Sequence, residues 1–209
     1  MKTAVIQVKA LIHRSYAGPM TNLSYTFFAF CLGQLIIALH ETYKLMEELK
    51  LRIGFGFDAH RFVKGRRCIL CGVEIPCAFG PDGHSDADVP VHALMDALLG
   101  ALALGDIGRH FPESDGKLQD ADSIELLSKV YAMVKERGYI LGNADITIVL
   151  ESPRLSHYIE AMRERIAAAL ETDTGNISVK ATTEERMGYT GTGEGISSTA
   201  AVLLTERQI

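Results

Sequence analysis

Asp58-Ala59-His60 closes an apolar, strand-like run that begins at Arg52, and His84-Ser85-Asp86-Ala87-Asp88-Val89-Pro90-Val91-His92 follows it. These two stretches hold metal-ligand residue types at usable spacing. Side chains two apart in a strand point to the same side. Asp58 and His60 can therefore grip one ion together, and His92, near the start of a helix, supplies a third ligand. Three protein ligands leave a fourth position open, which is how catalytic rather than structural zinc is held. Alone, Asp-x-His is equally the solvated end of a strand. The second cluster is what gives the metal reading its weight.

Two further stretches and a His carry candidate chemistry. His84 precedes a helix start, where backbone N–H groups and the helix dipole favour an anion, so it suits a phosphate oxygen as well as an ordinary cap. Gly105-Asp106-Ile107-Gly108-Arg109-His110-Phe111-Pro112-Glu113-Ser114-Asp115 is bracketed by Gly and Pro and rich in carboxylates. It reads as a loop that holds sugar hydroxyls or an ion through water, or as a plain helix-ending turn. Lys180-Ala181-Thr182-Thr183-Glu184-Glu185 places hydroxyls and acids after a strand, in the pattern that serves a phosphate and Mg²⁺. The Gly-rich run after Gly188 is no Walker A loop, because no G-K-[ST] follows.

The elements that must position these groups read as a regular α/β alternation over 52–209. A strand at about 52–58 leads to a hairpin at about 68–76 with Cys71-Gly72 at its turn. Helices are expected at about 87–103, 123–137 and 156–170, with Ser85 and Asp86 as cap candidates for the first and Gly105 and Gly138 as stops. Strands are expected at about 140–151, 177–182 and 195–205. This order suits an α+β fold, a two-layer sandwich with helices on one face of a mixed sheet.

The chain has 209 residues, is 47 % hydrophobic and carries a net charge of -5. That bounds one domain with a real core and argues against nucleic-acid binding driven by phosphate contacts. The four cysteines include Cys68-x-x-Cys71 without a second pair, which reads as structural thiols in a reducing compartment. Residues 1–50 carry no recognisable chemistry. Ala17 to Leu39 holds no charged residue, but Thr21, Asn22, Ser24, Thr26 and Gln34 dilute it below an ordinary membrane span. It lacks the features of a secretory signal or a transit peptide. Leu35, Ile36, Leu39, Tyr43 and Met46 follow helical spacing.

From Arg52 onward the chain resembles the 2-C-methyl-D-erythritol 2,4-cyclodiphosphate synthases. The residues that carry the likeness are Arg52-Ile53-Gly54-x-Gly56-Phe57-Asp58-x-His60, His84-Ser85-Asp86-x-Asp88, His92-Ala93-Leu94-x-Asp96-Ala97-Leu98-Leu99-Gly100, Leu104-Gly105-Asp106-Ile107-Gly108, Lys180-Ala181-Thr182-Thr183 and Gly193-Glu194-Gly195. The resemblance implies a cytoplasmic homotrimer with active sites between subunits. It implies one Zn²⁺ per subunit on Asp58, His60 and His92, and a second ion, Mg²⁺ or Mn²⁺, held by Glu185 through the substrate diphosphate. The implied reaction converts 4-diphosphocytidyl-2-C-methyl-D-erythritol 2-phosphate to the cyclodiphosphate and CMP. His84 and Thr183 would stabilise the reacting phosphates. Ser85, Asp106, Ile107 and Gly108 would line the methylerythritol pocket, with Phe111, Pro112, Glu113, Ser114 and Asp115 at its border, and Ala59 would contact the substrate. Thr182, Glu184, Tyr189 and Thr192 fall at further substrate-contacting positions, and Leu150, Glu151, Ser152, Pro153, Arg154, Leu155 and Ser156 would cradle the cytosine.

Three positions depart from that family pattern. Glu184 stands at the usual third Thr, Glu113 at a common Asp, and Thr192 at an Arg associated with isoprenoid diphosphates in the trimer channel. Residues 1–50 lie outside the likeness as an extension of unknown role, and 51–209 would form the synthase domain. One expectation is that translation starts at Leu51. Other classes remain: a zinc hydrolase, for which no HExxH is present, a non-catalytic binding protein for isoprenoid diphosphates, and a membrane-tethered protein using residues 17–39. No nucleic-acid or membrane partner is expected.

Overall fold

A computed structural model describes residues 33–37, 39–40, 50–83, 85–112 and 121–207. The chain divides into two compact units, Met1–Leu49 and Lys50–Ile209. Within the first, residues 33–37 and 39–40 are helical, and the remaining expectations for the first 49 residues lie outside the described ones. No helix among the described residues is long and apolar enough to cross a membrane.

The second unit is an α+β fold built on a five-stranded mixed sheet. Strand β1 (Leu51–Lys64) leads through the short pair β2 (Cys68–Leu70) and β3 (Val73–Ile75) to β4 (Phe79–Pro81). Helices α1 (Val89–Ala101), α2 (Ile107–His110) and α3 (Ser123–Glu136) precede β5 (Tyr139–Val149). Helix α4 (Ile159–Ala169), β6 (Ile177–Thr182), α5 (Gly188–Gly191) and β7 (Gly195–Glu206) complete the unit. The sheet order is β4-β1-β7-β5-β6. Only β5–β6 is parallel. That pair is joined by the crossover helix α4, as a parallel connection requires.

Alternation decides which side of the sheet is buried. Ala144, Ile146 and Ile148 of β5 and Ala200, Val202 and Leu204 of β7 point into the core, where they meet Leu94, Leu98, Leu127, Val130, Met162 and Ile166 of the helices. A register shift between Leu141 and Asn143 adds one residue to β5, so Leu141 and Ala144 both face inward. The opposite side of β1 is apolar yet bare. Ile53 is 78 % and Phe55 67 % exposed, with Leu51 and Phe57 beside them.

Helix α1 sits very low on β1. A Cβ on Gly54 would stand 1.8 Å from the Ala97 carbonyl oxygen, and one on Gly56 2.0 Å from that of Ala93. Two glycines in the strand and alanines at 93, 97 and 101 in the helix let the backbones meet where larger side chains would hold them apart.

Three local expectations need correcting. Strand β1 runs to Lys64 because Phe62–Lys64 pair with β4, which sequence reading did not find. Helix α1 begins at Val89, not 87, and its cap is Asp88 rather than Ser85 or Asp86. Helix α4 begins at Ile159, three residues later than expected. Cys68, Cys71 and Cys77 are free thiols, the first two buried.

Candidate active site

The face of β1 that receives α1 reads Gly54, Gly56, Asp58, His60. The glycines dock the helix, and the next two side chains on that face meet the first turn of the helix, which carries His92. The turn is fixed from below. The Asp88 carboxylate accepts N–H groups from Cys71 at 2.8 Å, Gly72 at 2.6 Å and Val91 at 3.3 Å. It thus caps α1 and ties it to the hairpin turn, where Cys71 and Gly72 both have positive φ.

Asp58, His60 and His92 offer three ligand atoms within 4.8 Å of one another. Asp58 Oδ2 lies 3.0 Å from His92 Nδ1 and 3.2 Å from His60 Nε2. Its other oxygen accepts the Ala59 N–H at 2.8 Å. His60 donates Nδ1–H to the Asp82 carbonyl, which can only accept, so in the neutral ring Nε2 is a bare lone pair toward Asp58. The imidazole rings meet edge-on with centroids 5.7 Å apart. Burial opposes ionisation of Asp58. When the two imidazoles are protonated, their hydrogen bonds to it and their charge outweigh that and hold the carboxyl well below the usual range. The hydrogen bond to Asp58 raises His60 against its own burial. Three acceptor atoms converging this way, with a ring nitrogen oriented from behind, fit a divalent cation.

This triad opens on a cavity of about 260 Å³ lined by Ala59, Ser85, Met95, Ile107, Gly108, Phe111 and Leu126. Four of the residues expected at a methylerythritol pocket or its border, Ser85, Ile107, Gly108 and Phe111, therefore lie beside the triad. Asp106 instead caps α2 by accepting the Arg109 N–H at 3.0 Å, and Asp96 accepts the Ile107 N–H at 2.8 Å. Pro112 is exposed and outside the lining. His84, Glu113, Ser114 and Asp115 lie outside the described residues.

A second cavity, about 670 Å³, opens where β5 and β6 end. Leu150, Glu151, Pro153, Arg154, Leu155 and Ser156 line it together with Thr182, Thr183 and Glu185. Thr183 donates to the Glu185 carboxylate at 3.2 Å. Glu185 and Arg186 both adopt positive φ, at 51° and 66°, a strained backbone of the kind found at binding sites. Ser152, Glu184, Tyr189 and Thr192 stand outside the lining; Glu184 accepts the Thr190 hydroxyl and Thr192 donates to Glu194 at 2.9 Å. Sequence reading missed Arg186, which no local pattern distinguishes, and Met95 and Leu126, apolar helix residues of no ligand type.

The two cavities are separate within one chain. Across the sheet Asp58 pairs with Ser198, Ser198 with Ile148 and Ile148 with Ala181. Three interstrand spacings put the triad and the second cavity ~14 Å apart.

Fold and site define an α+β protein with an Asp-His-His candidate metal centre and a separate polar cavity. The profile of the YgbB family matches residues 51–205, and the chain belongs to that family. It is 59 % identical over 158 residues to the 2-C-methyl-D-erythritol 2,4-cyclodiphosphate synthase of Moorella thermoacetica, covering 76 % of this chain and 97 % of that one. The bifunctional IspDF of Campylobacter jejuni superposes with a TM-score of 0.74 at 42 % identity, over 76 % of this chain and 43 % of that one. IspF of Plasmodium falciparum in its CDP complex gives 0.67 at 30 % identity, over 76 % and 97 %.

Proposed function

We propose that the chain is a metal-dependent phosphorus–oxygen lyase of the non-mevalonate isoprenoid pathway. It converts 4-diphosphocytidyl-2-C-methyl-D-erythritol 2-phosphate to 2-C-methyl-D-erythritol 2,4-cyclodiphosphate and CMP. The observation that carries this reading is the convergence of Asp58, His60 and His92 in a domain that matches a relative of that activity over nearly its whole length.

The reaction sets the demands on the residues. An oxygen of the 2-phosphate attacks the phosphorus attached to the 4-oxygen, and the bond from that phosphorus to the CMP oxygen breaks. The nucleophile is already anionic, so no strong protein base is needed. What must be supplied is charge neutralisation and alignment. Zn²⁺ on Asp58, His60 and His92, with Mg²⁺ or Mn²⁺ near Glu185, would supply the positive charge. Ser85, Ile107 and Gly108 would hold the methylerythritol chain beside the triad. Thr183 would donate its hydroxyl to the diphosphate, His84 would donate to a phosphate oxygen, and the Leu150–Ser156 segment would hold the cytosine. Seating both ends of one molecule makes the attack a positioned intramolecular step.

The ~14 Å between the cavities supports sites shared between subunits. So does the bare apolar strip of Leu51, Ile53, Phe55 and Phe57, a surface that a monomer in water would not ordinarily keep. We take the assembly to be a homotrimer in the cytoplasm. The hydrolase alternative would need a base facing the triad, and Asp58 is the only acid among the described residues lining that cavity. The test is incubation with the cytidyl substrate and Mg²⁺, followed by phosphorus NMR. Release of CMP with a cyclic diphosphate is expected; a folded, zinc-loaded protein that releases none overturns the proposal.

A further inference from the structure

His60 has its tautomer set by a backbone carbonyl. Among the described residues His92 has no such partner, and the group that takes this place lies on a third element. His92 Nε2 faces Ser123 Oγ at 3.1 Å. Ser123, the first residue of α3, is completely buried. Its hydroxyl donates to Asp86 Oδ1 at 2.5 Å, and its backbone N–H donates to Asp86 Oδ2 at 3.0 Å. Asp86 thus holds Ser123 with both oxygens.

We propose that Ser123, oriented by Asp86, is the positioning residue that fixes the tautomer of His92 and so presents Nδ1 to the metal. The proposal rests on the metal reading of the triad given above. A carboxylate can only accept, so the single hydroxyl hydrogen of Ser123 is committed to Asp86. What remains on Oγ toward His92 is lone pair, and a short contact there requires N–H on Nε2. Ser85 Oγ, 3.3 Å from the same nitrogen and itself accepting the Ala87 N–H, offers a second, longer acceptor. A neutral imidazole with its proton on Nε2 leaves Nδ1 bare. Nδ1 then faces Asp58 Oδ2, another acceptor, at 3.0 Å. Two acceptors so close repel unless a cation lies between them. Two ligands of a tetrahedral zinc with bonds of about 2.0 Å stand roughly 3.3 Å apart, so the separation seen here is close to what a shared ion imposes.

This role is separable from packing. Ser123→Thr keeps the hydroxyl, whereas Ser123→Ala removes it and leaves His92 Nε2 without its nearer partner. Loss of such an outer partner weakens metal binding by about 10–100-fold. The full chain, stripped of metal, is titrated with Zn²⁺ against a chromophoric chelator. Ser123→Ala is expected to bind zinc at least tenfold more weakly than the parent, and Ser123→Thr within about threefold of it. Long-range proton–nitrogen NMR on the zinc-loaded parent gives a variant-free reading, in which the His92 ring proton sits on Nε2 and exchanges slowly. Parent-like zinc affinity in folded Ser123→Ala, or a His92 proton on Nδ1, overturns the proposal and leaves the metal reading standing. If Ser123→Ala does not fold, the NMR assignment decides. A folded parent that binds no zinc overturns the metal reading itself, and this proposal with it.

Discussion

Gly56 and Ala93 are pressed together so closely that a Cβ on the glycine would stand 2.0 Å from the Ala93 carbonyl oxygen. The contact sets the height of α1 above β1, and through it the distance from His92 to Asp58. Gly56→Ala must push the helix away. Overpacking of this kind costs on the order of 1–3 kcal/mol or more, because backbone rather than a flexible side chain has to yield. A lower melting temperature and a weaker zinc affinity are expected together. Unchanged zinc affinity in the variant would show that helix height does not set the site.

The pH dependence of stability has a specific source in Asp88. Burial first, then the nearby Asp86 charge, push its carboxyl up to about 7, while the Gly72 and Cys71 N–H groups pull part of the way back. In the unfolded chain the group ionises near the ordinary value of 3.8. Between those values the folded state binds the extra proton, so this group's contribution to stability is full below the lower value and lost as pH rises toward 7. A shift of this size corresponds to a change on the order of 4 kcal/mol at most. Denaturant titrations from pH 4 to pH 8 should show a weaker fall in Asp88→Asn than in the parent. Equal slopes would remove Asp88 as the source.

Phe55, on the bare face of β1, is the residue with which to test assembly. A charge there should cost the single chain little, since the side chain is 67 % exposed, but should break contacts between copies. Sedimentation is expected to show a trimer for the parent and a smaller species for Phe55→Glu. A trimer that persists in the variant would place the interface elsewhere.

Much of the fold and of the triad is legible in the sequence. Asp58 and His60 were legible because strand alternation puts them on one side, and His92 because it follows a helix start. What was not legible depends on partners distant in sequence. Asp86 reads as a cap candidate, and no local pattern marks Asp88 or Ser123. Only the fold shows that Asp88 caps α1 while binding the Cys71-Gly72 turn, and that Asp86 is taken by Ser123, 37 positions along. Strand β4 has three residues and no pattern of its own; its pairing with Phe62–Lys64 defines it. The split of candidate site residues between two cavities follows from sheet order, which alternation does not encode.

Glu185 is the residue with which to test the second cavity apart from the triad. If it holds the second ion through the diphosphate, Glu185→Gln should raise the Mg²⁺ concentration needed for half-maximal rate at least severalfold and leave zinc content unchanged. Its carboxylate accepts from Thr183, so Thr183→Val should lower kcat more than it raises KM. A Glu185→Gln enzyme with parent Mg²⁺ dependence would assign that ion elsewhere.

In the proposed reaction the triad serves an attack by one end of the substrate on the other, not by water. Turnover of the cytidyl substrate in water enriched in oxygen-18, with mass spectrometry of the products, tests this directly. A cyclic diphosphate and CMP, both free of oxygen-18, is the predicted result. A linear product carrying one oxygen-18 atom would contradict it and make the site a hydrolase.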